Sequence, residues 1–590
     1  MMKVFEANIT RQVSDFLNDN LKKIISFEKA NQKMYDAFGI IHFFDNDDEL
    51  QILKEVLSFT NNTIKEPNRE EYGDFQTNSD LANKITLYLA SKNISPEVVI
   101  EPTCGKGNFI IASLRNFYNI KNVFGVEIYK PYVWETKFSI VDYFLSNPSP
   151  NKPEISIVHC NVFDFDFKAI AKKHSTSDIL VIGNPPWVTN SKLGSLNSIN
   201  LPKKTNFKNH SGLDAMTGKS NFDIAEFITL TMIETFQNLK GDLLLLLKNS
   251  VIKNIVFDQN KNRYEISAIE KHCIDSKKEF NVSVEAALFY CKLNSKPTFD
   301  CKEFDFYDNQ KSQFQFGWLN DKFVSNINTY IHTKEIDGEC PFVWRQGLKH
   351  DCSTVMELDK VNGFYVNGLK EEVKLEDGLV YGILKSSDLK NTVINQTRKF
   401  TIVTQKKVGQ ETKYIKTEYP KTYQYLTQHQ ANFDARKSSI YINKPLFSIF
   451  GIGDYSFKPF KVAISGLYKT FHFTLILPQD NKPIMLDDTC YLIGFDKIEF
   501  AVYTLILLNS DTTVQFLQSV TFPDAKRTFT KDVLMRIDLL ELAKLITKAD
   551  LQTELESLNE KYKFNLTLDL WDSFISEMTP VNNGQMTMFA

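Results

Sequence analysis

The residues best placed to do chemistry sit in one short turn. The apolar run Ile179-Leu180-Val181 is followed by Ile182-Gly183-Asn184-Pro185-Pro186-Trp187. This reads as a buried strand ending in a polar turn stiffened by two prolines, which fix φ and remove two backbone donors. What is left is a set of carbonyl acceptors, one side-chain amide and an indole face, and such a set suits a planar group carrying an NH2. The carboxyl edge of a strand in an open α/β sheet is also where ligands bind. If the Asn184 side-chain oxygen and the Pro185 carbonyl accept both hydrogens of the amine, its delocalised lone pair turns toward an electrophile. Alignment then matters more than a strong base, so none of the nine histidines is expected to be catalytic.

A second set of residues lies upstream. Val98-Val99-Ile100 runs into Glu101-Pro102-Thr103-Cys104-Gly105-Lys106-Gly107-Asn108-Phe109, then an apolar helix. Gly105 and Gly107 permit a tight strand-to-helix turn whose backbone can press against a ligand. Glu127 ends the next strand, Val123 to Val126, where a carboxylate can accept hydrogen bonds from both hydroxyls of a ribose. A solvated surface glutamate is the plain alternative. The strand Ile155 to Cys160 leads into Asn161-Val162-Phe163-Asp164, and Thr77-Asn78-Ser79-Asp80 has the Thr-x-x-Asp form of a capping box before a helix.

The elements that must hold these groups follow from hydrophobic periodicity. From Val98 to about Leu293, short apolar strands alternate with helical segments, the mark of a doubly wound sheet. Glu285 to Tyr290 reads as a strand hairpin closing that sheet. Residues 1–70 form a helical lead-in, in which Asp45, Asp47, Asp48 and Glu49 read as a solvated loop. Residues 71–335 form the catalytic domain and 336–590 a second domain, where the βαβ rhythm is lost. The expected fold is α/β, a Rossmann-like sheet with a C-terminal mixed α+β domain.

Composition narrows the class. The chain has 590 residues, 43% hydrophobic and 24% charged, with a net charge of −3, so any surface for a polyanion has to be local. Residues 391–470 supply one, with 13 Lys or Arg against 4 Asp or Glu, interleaved with tyrosines and amides. The eight cysteines show no Cys-x-x-Cys pair or zinc spacing, so neither a disulfide framework nor a metal is expected. The N-terminus has no basic-then-apolar signal, and the longest apolar run, Leu243 to Leu247, is too short to cross a bilayer. A cytoplasmic monomer is the expectation.

Asn184-Pro185-Pro186-Trp187 resembles the Asn/Asp-Pro-Pro-aromatic signature of amino methyltransferases, above all the N6-adenine DNA methyltransferases. Several further stretches resemble the C-terminal half of the γ-type enzymes of bacterial restriction-modification systems. These are Trp344 to Cys352, Arg436-Lys437-Ser438-Ser439-Ile440-Tyr441, Phe447 to Tyr455, and Ala525-Lys526-Arg527 with Lys531. The resemblance covers most of residues 75–545. It implies S-adenosylmethionine as cofactor, held by Thr77, Glu101 beside its ammonium group, Gly105, Gly107, Glu127, Asn161, Phe163 and Asn184. Asn161 stands where the family usually has Asp, and Asn78 where it has Pro. The resemblance also implies catalysis by Asn184, Pro185 and Trp187, with Phe280, from Phe280-Asn281-Val282-Ser283-Val284, as the second wall of a pocket for a flipped adenine. Lys349, Arg436, Lys437, Lys526 and Arg527 are then the expected contacts to double-stranded DNA. A separate cognate restriction endonuclease follows from family habit. An RNA or protein-glutamine methyltransferase and a non-catalytic DNA-binding specificity subunit are the alternatives.

Overall fold

The computed structural model describes residues 9–57, 75–188, 223–282, 284–308, 314–522 and 527–579. The chain divides into two compact units, residues 1–323 and 324–590.

The first unit is built on a sheet that starts at its N-terminal edge with β1 (Ile40–Ile41). It continues with β2 (Val98–Glu101), β3 (Asn122–Glu127), β4 (Glu154–His159), β5 (Ile179–Gly183), β6 (Gly241–Lys248), β7 (Ile266–Cys273), β8 (Ala286–Leu293), β9 (Asp300–Asp305), β10 (Phe314–Leu319) and β11 (Lys322–Val324). The spatial order is β1-β4-β3-β2-β5-β6-β8-β7-β9-β10-β11. From β1 through β6 every neighbouring pair is parallel. Because order reverses between β2 and β5, their carboxyl ends frame a topological switch point, the place where such sheets bind ligands. β8 is antiparallel to both β6 and β7 and lies between them, so the Glu285–Tyr290 region is interior to the sheet rather than the hairpin closing it. β2 and β5 are buried at every residue, the continuous apolar pattern of strands covered on both faces.

The lead-in is helical at Arg11–Leu21, Phe27–Phe38 and Asp47–Leu57, and it also contributes β1, paired with β4. The acidic cluster differs from the solvated loop expected. Asp47, Asp48 and Glu49 open the Asp47–Leu57 helix, where carboxylates favour the N-terminal dipole. Asp45 and Glu49 pair with Lys130 at 2.6 and 2.7 Å, and Asp47 accepts from the Phe27 N–H at 2.7 Å.

The second unit holds two sheets. One has five strands, with Phe460–Ser465 and Cys490–Phe495 paired antiparallel at its centre. The other has six, including Glu357–Val361, Val380–Leu384 and Lys399–Ile402. Ile498–Leu508 is apolar around its whole circumference and buries Phe500 through Leu508, as a helix enclosed on all sides must. With its further helices Asp511–Val520, Lys548–Tyr562 and Trp571–Met578, this unit is α+β.

Candidate functional site

A pocket of about 940 Å³ opens at the carboxyl ends of β2 to β5. It collects residues far apart in sequence: Phe75 to Thr77, Glu101 to Gly105, Glu127 to Tyr129, Asn161 to Phe163, Asn184, Pro186 and, from the next helix, Ile224 and Ile228. Of the eight residues expected on the cofactor side, seven line this pocket. Gly107 instead stands at the N-terminus of the Asn108–Asn116 helix.

The turn after β2 owes its shape to two glycines with positive φ, +51° at Gly105 and +77° at Gly107. A Cβ at Gly105 would lie 2.4 Å from the Gln76 side-chain oxygen, and one at Gly107 2.6 Å from Thr136. Both positions therefore favour glycine for conformation, and Gly107 for space as well, because the short Thr136 side chain cannot swing away as the end of Gln76 can. Glu127 braces the turn: one carboxylate oxygen accepts from Gly105 N–H at 2.9 Å, the other from Tyr129 N–H at 2.7 Å. An anionic oxygen has lone pairs beyond one bond each, so this fixed carboxylate can also receive hydroxyl donors.

Glu101, at the end of β2, is 3% exposed, and its Oε2 has no hydrogen-bond partner among the described residues. Burial, reinforced by the nearby Glu127 charge, holds its carboxyl well above the usual carboxylate range. An unpaired carboxylate in a dry pocket is costly unless a cation meets it. Cys104 is also buried, and burial with the two glutamates pushes its thiol up, so it stays protonated and unreactive.

Asn184 follows β5. Its Nδ2 donates to the Phe75 carbonyl at 2.6 Å and to Thr77 Oγ1 at 3.2 Å, while its Oδ1 is buried without a partner among the described residues. The amide is thus clamped by its donor end with the acceptor left over. Thr77 is available for this because it does not cap the following helix, as its sequence spacing suggested. Asn78 is the cap of Ser79–Ser91, accepting from Leu81 N–H at 2.8 Å, since its extended backbone places the shorter Asx loop over the helix end. The Asn78 amide also donates to Glu279 at 3.1 Å, beside Phe280.

Trp187 is 6% exposed and Phe280 9% exposed, and Trp187 donates its indole N–H to the Leu246 carbonyl at 3.3 Å. The two rings meet edge to face at 5.3 Å, and Phe75 packs on Trp187 at 5.4 Å. A base stacked between two parallel rings needs them roughly 7 Å apart. The sandwich expected from the sequence therefore requires Trp187 and Phe280 to separate.

After β4, Asn161 Oδ1 accepts from Phe163 N–H at 3.1 Å, forming an Asx turn, and Phe163 packs edge to face on Phe227. Asp164, three residues on, is exposed and does not line the pocket. Asp223 caps Ile224–Phe236 and pairs with Lys248 at 2.5 Å, and Ile224 N–H donates to Val188 O at 2.9 Å. The polar stretch 191–221, which carries Lys203, Lys204, Lys208 and Lys219 and which its sequence suggests is a loop over the target strand, lies outside the described residues.

In the second unit, Lys349 pairs with Asp351 and Asp488 at 3.5 and 3.6 Å, and Arg527 donates to the Asp488 carbonyl at 3.3 Å. Arg436 directs Nε to Phe433 O (3.0 Å) and Nη1 to Ser448 O (2.8 Å) and His350 O (3.4 Å). Its guanidinium also packs on Tyr441, whose hydroxyl donates to Lys349 O. Lys349, Arg436 and Arg527 are thus gathered in one region, but Arg436 is occupied with the protein's own chain. Lys437 is exposed, and Lys526 lies outside the described residues.

Sequence reasoning missed Phe75, Gln76, Asn108 and Tyr132. Phe75 anchors Asn184 through its carbonyl and Trp187 through its ring, and Asn108 donates to Thr77 O at 2.8 Å. The one available signal was an aromatic-amide pair, Phe75-Gln76, directly before Thr77.

Strand order, switch-point pocket and glycine turn define a Rossmann-like α/β fold of the S-adenosylmethionine-dependent methyltransferase kind. Over 484 residues the chain is 40% identical to the Type II methyltransferase M.NspV of Nostoc sp., covering 82% of this chain and 99% of that protein. The chain belongs to the Type II methyltransferase family, and S-adenosylmethionine is its cofactor. No family model matches it. Among solved structures, it is similar to the Type IIL restriction-modification enzyme MmeI in complex with DNA, with a TM-score of 0.50 and 12% identity over 98% of this chain and 89% of that one. A magnesium protoporphyrin IX methyltransferase from Synechocystis with bound S-adenosylmethionine matches at a TM-score of 0.21 and 12% identity, over 38% of this chain and 88% of that one. Among the described residues no helix is long and apolar enough to cross a membrane.

Proposed function

We propose that the protein methylates the N6 amino group of an adenine flipped out of double-stranded DNA, as the modification component of a restriction-modification system. The observation that carries this reading is the Asn184 amide, fixed through Nδ2 by Phe75 and Thr77 with Oδ1 left unpaired. A clamped acceptor of this kind receives one hydrogen of an exocyclic amine and, with the Pro185 carbonyl, orients its lone pair. When bound, S-adenosylmethionine supplies an electrophilic methyl group. The pocket suits that cofactor at both ends. The orphaned Glu101 oxygen calls for a cation such as an amino acid's ammonium group, and the braced Glu127 carboxylate suits ribose hydroxyls. Phe163 offers a ring face for a purine, and Asn161 a side-chain amide. Trp187 and Phe280 part to admit the target base, whose unstacking costs roughly a few kcal/mol and is offset by stacking worth about 1–3 kcal/mol per aromatic contact. The second unit recognises the target sequence, with Lys349, Lys437, Lys526 and Arg527 at the DNA.

Incubation with methyl-labelled cofactor and duplex DNA, RNA or protein in parallel tests the substrate class. Label in DNA alone is expected, and label confined to RNA or protein would refute the reading.

A further inference from the structure

We infer that DNA backbone phosphates seat in an open cleft of the second unit lined by Lys413, Lys416 and Lys444. The inference rests on the DNA reading above and adds the surface that takes the backbone.

The 13 basic residues of 391–470 are not equivalent: some are spent on the fold, and of the exposed remainder three share one cleft. Five are already committed. Arg398 pairs with Asp388, Lys399 with Asp359 and Lys458 with Asp496. Lys461 is 1% exposed and donates to the Lys458 carbonyl at 2.7 Å, and Arg436 bonds three backbone carbonyls. Lys413, Lys416 and Lys444, in contrast, are exposed and have no carboxylate partner among the described residues. The fold brings them together from two segments. Thr412 Oγ1 donates to Leu446 O at 2.7 Å, and Tyr423 packs edge to face on Phe447, which docks the 443–447 turn against the start of the Tyr414–Glu418 helix. Asn443, at φ +58°, makes that turn. The resulting cleft, about 900 Å³, carries these three cations and one acidic side chain, Glu411.

Three unpaired ammonium groups beside a single carboxylate make a surface for anions. All three lysines are exposed rather than enclosed, which favours a continuous polyanion over a small phosphate ester, which needs enclosure to be held. Lysine is a flexible point charge, so it positions a backbone without reading bases. Its energetic signature is counterion release: each phosphate neutralised adds about 0.9 to the slope of log K against log salt.

The test uses the full chain carrying K413Q, K416Q and K444Q together, with binding to duplexes of several sequences measured across a salt series. The salt slope is expected to fall by about 2 to 3, with affinity lost to a similar degree for every sequence. Cofactor binding and the thermal midpoint should match the parent, since the three side chains are exposed. A control with K22Q, K23Q and K29Q removes equal charge from exposed positions of the first unit and should leave the slope in place. An unchanged slope in the cleft variant overturns the inference while the DNA reading stands. A loss confined to one sequence also overturns it, since that would be base reading. A parent protein that binds no DNA overturns the DNA reading and this inference together.

Discussion

Asn184 in the first unit and Arg436 in the second are both polar side chains tied to backbone carbonyls, yet they are left in opposite states. Asn184 spends only its donor end, on Phe75 O and Thr77 Oγ1, and keeps Oδ1 unpaired in a buried setting. Arg436 spends its forked guanidinium on Phe433, Ser448 and His350 carbonyls and on the Tyr441 face, at 3.7 Å. Unsatisfied buried acceptors are rare in folded proteins because each costs about 1–3 kcal/mol. One that persists at a strand's carboxyl end, beside an equally orphaned Glu101 oxygen, marks a site built for something else to complete it. A group such as Arg436, with its Nε and Nη1 donors given to three backbone carbonyls, marks architecture. Whether a polar residue acts on a ligand or on the fold is thus read from the atoms it leaves over.

The sharpest way to break this contrast is Asn184→Ala. The methyl-transfer rate should fall by at least about a hundredfold, as when a preorganised group aimed at the reacting centre is lost, with cofactor affinity nearly unchanged. Arg436→Ala should act on stability instead, costing about 2–4 kcal/mol in chemical denaturation because it strands buried carbonyls. Arg436→Lys should recover little, since an ammonium cannot reproduce the fork. If Arg436→Ala left stability intact and abolished DNA binding alone, the contrast would fail.

Glu101→Gln should weaken cofactor binding roughly ten- to a hundredfold, the worth of a hydrogen bond between charged groups. The pH dependence follows from its raised carboxyl. In the free protein the folded state holds this proton more tightly than the unfolded state. Stability due to this group therefore falls as pH rises from the ordinary carboxylate value toward the raised one. Binding of a cationic amino group needs the ionised form, so cofactor affinity should rise over the same interval. Calorimetric titration of wild type and Glu101→Gln across pH tests both signs, with the variant flat. The smallest effect is expected for Thr77→Val, which removes one of the two restraints on the Asn184 amide. A rate loss of roughly fivefold, about 1 kcal/mol, should appear in kcat with little change in KM, and Thr77→Ser should restore it.

The parts of this picture legible in the sequence were those fixed by local rules. Apolar runs gave the strands, Gly105 and Gly107 the turn, and the prolines after Asn184 the rigid edge of β5. What stayed hidden was how individual atoms are spent. Thr-x-x-Asp spacing pointed to Thr77 as a helix cap, yet Asn78 takes that place and frees Thr77 for Asn184. A basic residue in a basic stretch looks like a nucleic-acid contact whether its donors point outward, as for Lys437, or inward, as for Arg436. Nor does the sequence disclose that Trp187 and Phe280 touch, because their contact joins β5's turn to a helix 93 residues downstream. Long-range closure of this kind depends on the sheet order, which no local window contains.

The most direct test of the central claim is one assay on two proteins. Wild type and Asn184→Ala are incubated with methyl-labelled cofactor and duplex DNA, the product is digested to nucleosides, and cofactor affinity is measured alongside. Label in N6-methyl-2′-deoxyadenosine for the wild type, with none for the variant at equal cofactor affinity, is the predicted result. Label in a cytosine nucleoside, or undiminished transfer by Asn184→Ala, would contradict it.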